Sequence, residues 1–445
     1  MKILMVSLGC DKNLVDSEVM LGMLAEKGYT FTDDETEAEI AVVNTCCFIN
    51  DAKEESVDAI LEMAELKKSG QLKVLIVAGC LAQRYQEEIR KEIEEVDAII
   101  GTSAIDKIVE TIEDVMAGES REHLLPLDRR PSGNRKRVVT TGGHYAYLKI
   151  AEGCDKHCTY CIIPKIRGKY RSVPMEELAA EAETLAAEGV KELIVVAQET
   201  TLYGVDLYGE KKLPELLTRL CRIQGLSWIR ILYCYPEEIT DDLIRVIKRE
   251  EKICHYLDIP VQHGSDSVLK RMGRKTDSAQ IRDIVKKLRE NIPDICLRTT
   301  LITGFPGETE EDHETLMEFV DEMEFDRLGV FAYSPEEGTP AAVMPDQIGE
   351  GVKEERRNAI MELQQEIAFE AAEKMEGKYV DAMVEGKIAD EDAYVARTYK
   401  DAPNVDGYLF IHTDRQLISG DFVKVRITGS YEYDLMGEIC DEFTE

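Results

Sequence analysis

The sequence predicts an α/β chain of three folding units: an N-terminal parallel α/β domain (1–120), a (β/α)6 partial barrel (144–374) and a small OB-like antiparallel β-barrel (375–445), with a linker over 121–143. Three observations predict this order. Short apolar runs alternate with amphipathic stretches up to about residue 120 and again from 145 to about 344, as in parallel sheets crossed by helices. Proline and glycine break the pattern between those two stretches. Beyond about 377 the runs become short, β-rich and separated by turns, as in a closed barrel.

In the first unit, residues 2–7, 39–44, 74–78 and 98–100 read as buried strands, with helices over about 16–27 and 52–68. The linker holds Pro126, Pro131, Gly133, Gly142 and Gly143 and carries Arg129, Arg130, Arg135, Lys136 and Arg137, which suits a solvated connection. In the second unit six strands are expected at 146–151, 193–197, 229–233, 256–260, 297–303 and 328–333, closed by a charged helix at 353–374. In such a barrel, chemistry gathers at the C-terminal strand ends. The last unit shows β-rich runs at 380–384, 394–397, 407–411 and 422–427.

The 88 acidic residues against 54 basic ones leave a net charge of −34, which repels nucleic-acid phosphates and membrane surfaces and favours basic partners. No run approaches the roughly 18 apolar residues of a membrane span. The apolar start meets charged residues too early for a signal peptide, so the expectation is a soluble, cytoplasmic chain with no membrane partner. Twelve cysteines in such a chain point to metal, catalysis or core filling rather than disulfides.

Cys154, Cys158 and Cys161 have the spacing C-x3-C-x2-C in a loop just after the first barrel strand. Three thiolates can ligate three irons of a [4Fe-4S] cluster and leave the fourth open. An open iron can bind the amino and carboxylate groups of S-adenosylmethionine. A zinc site would want four ligands, commonly two C-x2-C pairs, and no second pair exists. Cys10, Cys46 and Cys80 are far apart in sequence, yet each lies at or just after the end of a predicted strand in the first domain. Strand ends of an open parallel sheet converge on a ligand crevice, so these three thiols either hold a second cluster or are core cysteines. Gly9 and Gly79 precede two of them and allow close backbone approach. Cys47, Cys221, Cys234, Cys254, Cys296 and Cys440 show no ligand spacing.

The triad at 154–161 resembles the radical-SAM superfamily. The domain order, with Val6–Glu18 (VSLGCDKNLVDSE), Asn44-Thr45-Cys46 and Ala78-Gly79-Cys80, resembles the radical-SAM methylthiotransferases over essentially the whole chain. One departure is Cys47, where relatives are expected to carry glycine. The resemblance implies two [4Fe-4S] clusters, one for S-adenosylmethionine cleavage and one that carries sulfur. It also implies a second S-adenosylmethionine as methyl source, a sulfur donor, a reductant and a terminal TRAM domain. Tyr160, before the third cysteine, is implied to lie against the adenine. Gln198, Gln262 and Arg298 are implied to hold S-adenosylmethionine or substrate, the alternative being buried polar residues satisfied by backbone.

The family divides between enzymes acting on an adenosine of tRNA and one acting on an aspartate β-carbon of ribosomal protein S-twelve. Residues 376–445 hold nine Asp and seven Glu against four Lys and three Arg, a net of −9. An RNA-binding barrel needs cations, so tRNA is disfavoured and a basic protein favoured. The segments Asp11-Lys12-Asn13-Leu14-Val15-Asp16 and 198–204 (QETTLYG) are similar to the ribosomal-protein branch, the RimO family. A rival of another class is a non-catalytic iron–sulfur electron carrier or sensor.

Overall fold

The structure is a computed structural model that describes residues 1–119, 122–131 and 136–440. Gly133 and Arg135 of the expected linker lie outside the described residues. The first domain contributes strands β1 (Lys2–Ser7), β2 (Thr30–Phe31), β3 (Ile40–Thr45), β4 (Val74–Ala78), β5 (Ala98–Ile100) and β6 (Glu122–His123). All pair in parallel in the order β2-β1-β3-β4-β5-β6. β3 and β4 are buried at every position, as central strands covered by helices on both faces must be. The two-residue edge strands β2 and β6 carry too little pattern to be read from sequence.

The three cysteine-bearing turns follow β1, β3 and β4, which are direct neighbours in the sheet. Helix α1 (Asp11–Glu26) starts five residues before the expected position, with Cys10 in extended backbone at its N-cap. Periodicity missed this turn because Lys12, Asn13 and Asp16 are buried beneath the barrel instead of facing water. Helix α2 (Asn50–Lys68) follows Cys46, and helix α3 (Gly79–Arg84) carries Cys80 in its first turn.

The described end of the linker departs from the solvated reading. Arg137 is buried, donates to the Tyr147 carbonyl at 2.6 Å and pairs with Glu181 at 3.1 Å. The Val138 amide and the Thr140 amide are both held by Glu18. A buried guanidinium must find carboxylates and carbonyls, and the linker supplies its arginine to a cleft that already contains them.

The barrel consists of β7 (Tyr145–Lys149), a small antiparallel ribbon of β8 (Ala151–Glu152) and β9 (Arg171–Ser172), then β10 (Glu192–Val196), β11 (Trp228–Ile231), β12 (Ile253–Asp258), β13 (Cys296–Thr303) and β14 (Arg327–Ala332). Its parallel order is β14-β13-β12-β11-β10-β7. The outer strand faces, with Leu148, Leu193, Ile229, Leu257 and Leu297, pack under the surrounding helices as one large core. The inner faces mix apolar side chains with the paired charges of Lys149, Glu192, Arg230 and Arg298. Tyr145, Tyr147, Ile194, Val196 and Tyr256 pack against Val15 and Val19 of α1 and against Met383 and Ala402 of the last domain. The part of the hollow beside β7, β10 and β12 is thus filled by its two neighbours.

The last domain closes as a five-stranded barrel of β15 (Tyr379–Lys387), β16 (Ala393–Thr398), β17 (Leu409–His412), β18 (Phe422–Tyr431) and β19 (Asp434–Ile439). One pairing departs from the expected antiparallel scheme, because β17 and β19 run parallel at the closure. Gly437 makes that closure fit, since a Cβ there would lie 2.4 Å from Val425.

The domain is tied to the barrel by Glu192, whose oxygens accept from Arg230 and Arg397 at 2.7 Å each, all three side chains fully buried. Burial acts to raise the Glu192 carboxyl, but the two guanidinium groups outweigh it and hold it below the usual carboxylate range. A depressed carboxyl stabilises the fold above its unfolded value of about 4.3, and that contribution fades as pH falls through the folded value. Glu192→Ala is therefore expected to cost about 3–5 kcal/mol in urea unfolding at neutral pH. The gap to wild type should narrow in acid.

Candidate active site

The N-terminal triad is assembled by register. Ser7, Asn44 and Ala78 are aligned partners across β1, β3 and β4, and Cys10, Cys46 and Cys80 follow them by two or three residues. The turns leave no room for side chains at two points. A Cβ on Gly9 would lie 2.5 Å from Cys46 Cβ, and one on Gly79 would lie 2.3 Å from Asn44 Oδ1. Both glycines have positive φ, which favours glycine in its own right. Asn13 donates from Nδ2 to the carbonyls of Leu8 and Thr45 at 2.9 Å each and so holds two of the turns together. Its Oδ1 accepts from the Cys80 thiol at 3.8 Å. Cys10 is exposed, whereas Cys46 and Cys80 are buried.

The second triad sits in the loop between β8 and the short helix Ile163–Ile166. The Cys154 amide donates to Gly168 O, and the Cys161 amide to Cys158 O. Gly153, at φ +81, would place a Cβ 2.2 Å from Lys169 O, so only glycine permits the entry to this loop. Around the sulfurs stand Tyr160, Tyr235, Lys156 and Arg274. Tyr235 Oη lies 3.6 Å from Cys158 Sγ. The Arg274 guanidinium lies 4.3 Å above the Tyr235 ring, with Lys156 Nζ at 5.0 Å. Lys156 is matched by Glu237 at 3.0 Å and Glu238 at 2.5 Å. Arg274 is almost fully buried and gives one bond to Pro260 O, while its Nε and Nη1 find no partner among the described residues.

The helix behind Cys161 joins the triads. Ile162 and Ile166 pack into the core of the first domain beside Cys47 and Cys80, and Thr102 Oγ1 donates to Ile166 O at 2.8 Å. Arg167, one residue further on, is fully buried. It reaches Asp16 at 3.0 Å, Glu152 at 2.9 Å and Asn13 Oδ1. Lys149 binds the same two carboxylates, and Gln198 Nε2 donates to Glu152 at 2.7 Å. A second link comes from Tyr233, which has a left-handed φ of 61° just past the end of β11. Its hydroxyl donates to Asp11 at 3.2 Å, and Lys12 Nζ lies 3.4 Å above its ring.

Burial pushes the thiols of Cys80 and Cys154 up to about 12 and also raises those of Cys46 and Cys161. Arg167 opposes this at Cys46 and Cys80. Metal ligation must therefore displace protons from these thiols. Buried cations suit that change, since thiolates around an iron–sulfur cluster carry net negative charge. Arg167 beside one triad and the partly unpartnered Arg274 beside the other provide it. At Gly9 a Cβ would lie 2.8 Å from Cys46 Sγ, so glycine leaves backbone facing that sulfur.

Of the residues singled out in the sequence, Tyr160 lies beside the second triad, its ring 6.5 Å from Phe305. Gln198 is turned to Glu152. Gln262 has a left-handed φ of 75° and bridges to β13 through the Thr300 carbonyl and the Ile302 amide. Arg298 points elsewhere. It pairs with Asp258 at 2.9 Å and with Asp406 of the last domain at 3.5 Å. Sequence reasoning passed over Arg167, Tyr233, Tyr235 and Arg274. It also passed over Glu199, a fully buried carboxyl that burial lifts to about 7, with Thr201 and Lys156 opposing. Cys234, Cys254 and Cys296 are buried core residues, as their lack of spacing implied. Cys47 is buried beside the first triad, with Arg84 donating to its carbonyl at 3.4 Å.

Residues 148–320 match the radical SAM superfamily, residues 2–101 the Uncharacterized protein family UPF0004, and residues 377–440 the TRAM domain. Over 437 residues the chain is 63% identical to the ribosomal protein uS12 methylthiotransferase RimO of Lachnoclostridium phytofermentans, covering 98% of this chain and 99% of that one. Identity to the corresponding protein of Clostridioides difficile is 50% over 445 residues, with 99% of both chains covered. Among solved structures, the radical S-adenosylmethionine methyltransferase TsrM of Kitasatospora setae, with cobalamin and a [4Fe-4S] cluster bound, is similar in fold. Its TM-score is 0.56 at 15% identity, over 77% of each chain.

Replacing Arg167 with Met leaves the buried carboxylates of Asp16 and Glu152 with Lys149 as their one cation and Gln198 as a neutral donor to Glu152. The expected result is a loss of about 3–5 kcal/mol in stability. Loss of the cation that opposes burial at Cys46 and Cys80 lowers their thiolate fraction, so their alkylation in the metal-free protein should slow relative to that of Cys154, read by mass spectrometry of labelled peptides.

Proposed function

The chain belongs to the RimO family of radical-SAM methylthiotransferases, and from that premise we propose that it converts the C–H bond at an aspartate β-carbon of ribosomal protein uS12 into C–SCH3, using two [4Fe-4S] clusters. The observation that carries this reading is the meeting of two three-cysteine sets across one buried arginine. Three thiolates per cluster leave one iron open in each. When bound, such clusters supply the electron that breaks a C–S bond of S-adenosylmethionine and a place to hold the transferred sulfur.

The chain's own residues position and shield these groups. Cys154, Cys158 and Cys161 hold one cluster; Cys10, Cys46 and Cys80 hold the other. Tyr160 and Tyr235 wall the first site with aromatic surface. Arg274 brings unpaired buried donors to it, which suit an anionic group such as the carboxylate of S-adenosylmethionine. Arg167 and Asn13 tie the turns of the second site to the segment that follows Cys161. Packing of α1 and the last domain into the barrel hollow excludes water from its floor.

The net charge of −34 and the net −9 of residues 376–445 favour a basic protein over tRNA. Two tests follow. Reconstituted enzyme given S-adenosylmethionine, sulfide and reductant should add one methylthio group to uS12 and none to unmodified tRNA. Modified tRNA with untouched protein would sink the assignment. Alanine at Cys10, Cys46 and Cys80 should remove roughly half of the bound iron. That variant should abolish methylthiolation yet retain reductive cleavage of S-adenosylmethionine; retention of all the iron would reject a second cluster.

A further inference from the structure

The two outer strands of the partial barrel are treated differently. At β7, Arg137 donates to the Tyr147 carbonyl at 2.6 Å and Thr141 to the Tyr145 carbonyl, so that edge is covered. At β14, among the described residues, no hydrogen bond from outside the sheet reaches the backbone of Arg327–Ala332. Open sheet edges are commonly guarded by proline, bulges or charge because they template strand pairing. The sequence of β14, RLGVFA, has one charge, Arg327, which is engaged by Asp401 at 2.6 Å.

Beside the first half of this edge, at Arg327–Gly329, lies a groove of about 390 Å³, walled on one side by Gln364 and Ala368 of the helix Glu350–Glu373 and on the other by Val405 and Tyr433 of the last domain. Gly329 faces open space, with no atom within 4 Å of a Cβ built on it. Phe331 is 54% exposed and Val405 53%. The charge here is acidic. Asp326, Asp406 and Asp434 line the groove, and its Arg298 and Arg327 are already paired with Asp258, Asp406 and Asp401. Lys400 meets Asp326 at 3.3 Å. Asp258, Asp401 and Asp406 are almost wholly buried and taken up by Arg298 and Arg327, which leaves Asp326, shared with Lys400, and Asp434 toward the groove.

From the groove, the strand itself leads toward the cysteine loop. β14 runs into Tyr333, whose ring is 5.1 Å from Phe305, and Phe305 is 6.5 Å from Tyr160, next to Cys161. The Ala341 amide donates to Thr159 O at 2.9 Å, so the segment after β14 touches the cysteine loop itself. A chain laid along β14 would be carried from the last domain to the radical triad.

We propose that β14 is the docking edge for the protein substrate: an extended, basic segment of uS12 adds to it as a strand, with side chains over Gly329 and beside Phe331 and its cations toward the aspartates. This rests on the substrate reading above. Backbone pairing along six residues, about 20 Å, supplies affinity, while the open position at Gly329 and the acidic wall supply selectivity.

The test uses reconstituted holoenzyme and purified uS12. Hydrogen exchange of the amides of Arg327–Ala332 should slow when uS12 is added. The Cβ of Gly329→Val enters open space, so the variant should leave reductive cleavage of S-adenosylmethionine without uS12 unchanged. It should raise KM for uS12 by about tenfold or more, the equivalent of about 1.4 kcal/mol. Methylthiolation of uS12 by wild type, with unchanged exchange at β14 and a normal KM for the variant, overturns the docking edge and leaves the family reading standing. Failure of wild type to modify uS12 overturns both.

Discussion

A guanidinium taken out of water is costly unless carboxylates or dipoles surround it, and Arg167 meets that condition only with groups from both of the first two domains. Asp16 and Asn13 come from helix α1, while Glu152 and Lys149 come from the start of the barrel. The arginine itself stands six residues after Cys161, and its neighbours stand three to six residues after Cys10. Neither domain can satisfy this network alone. The same side chains that neutralise one another therefore set the distance and orientation between the two sets of cysteines.

The rest of the architecture follows from an open barrel whose hollow is lined by apolar side chains and a few paired charges. A closed eight-stranded barrel fills its interior with its own side chains; six strands leave a gap. Here helix α1 enters from one side through Val15 and Val19, and the last domain enters through Met383 and Ala402. The buried Glu192 pair with Arg230 and Arg397 fixes the second contact as Arg167 fixes the first. Both contacts join apolar packing, which gives most of the free energy, to a buried ionic group that allows one register.

How much of this could be read in the sequence depended on whether a residue's partner was local. The strands announced themselves because β3 and β4 are apolar throughout and the barrel strands alternate regularly with helices. The grouping of Cys154, Cys158 and Cys161 in one loop was legible because their spacing is local, and the position of Cys10, Cys46 and Cys80 at neighbouring strand ends because each follows an apolar strand. Lys12, Asn13 and Asp16 misled, since polar residues at the start of a helix normally mark solvent, whereas these face Arg167 and Tyr233. Arg137 misled in the same way within a linker rich in glycine and proline. Arg298 was rightly sought on a late strand, but its ion pairs turn it toward Asp406 of the last domain. β19 was missed because only Leu435 and Gly437 of its six residues are buried.

The acidity of the chain acquires a more specific meaning once the fold is known. A surface field of one sign can serve solubility alone, and much of the −34 lies on exposed helices, as at Glu310, Glu311 and Glu314. The aspartates at 326, 406 and 434 differ, because they stand together where the barrel's uncovered edge meets the last domain. The opposite edge of the same sheet is sealed by Arg137, a cation drawn from the linker. One edge closed by a basic segment of the chain itself, and the other left open beside carboxylates, is an asymmetry that neither solubility nor packing requires. A basic segment from another protein would complete at β14 what the linker completes at β7. On that view the last domain does more than cap the hollow, because it furnishes the wall against which a substrate chain is aligned before its aspartate reaches the cysteine loop.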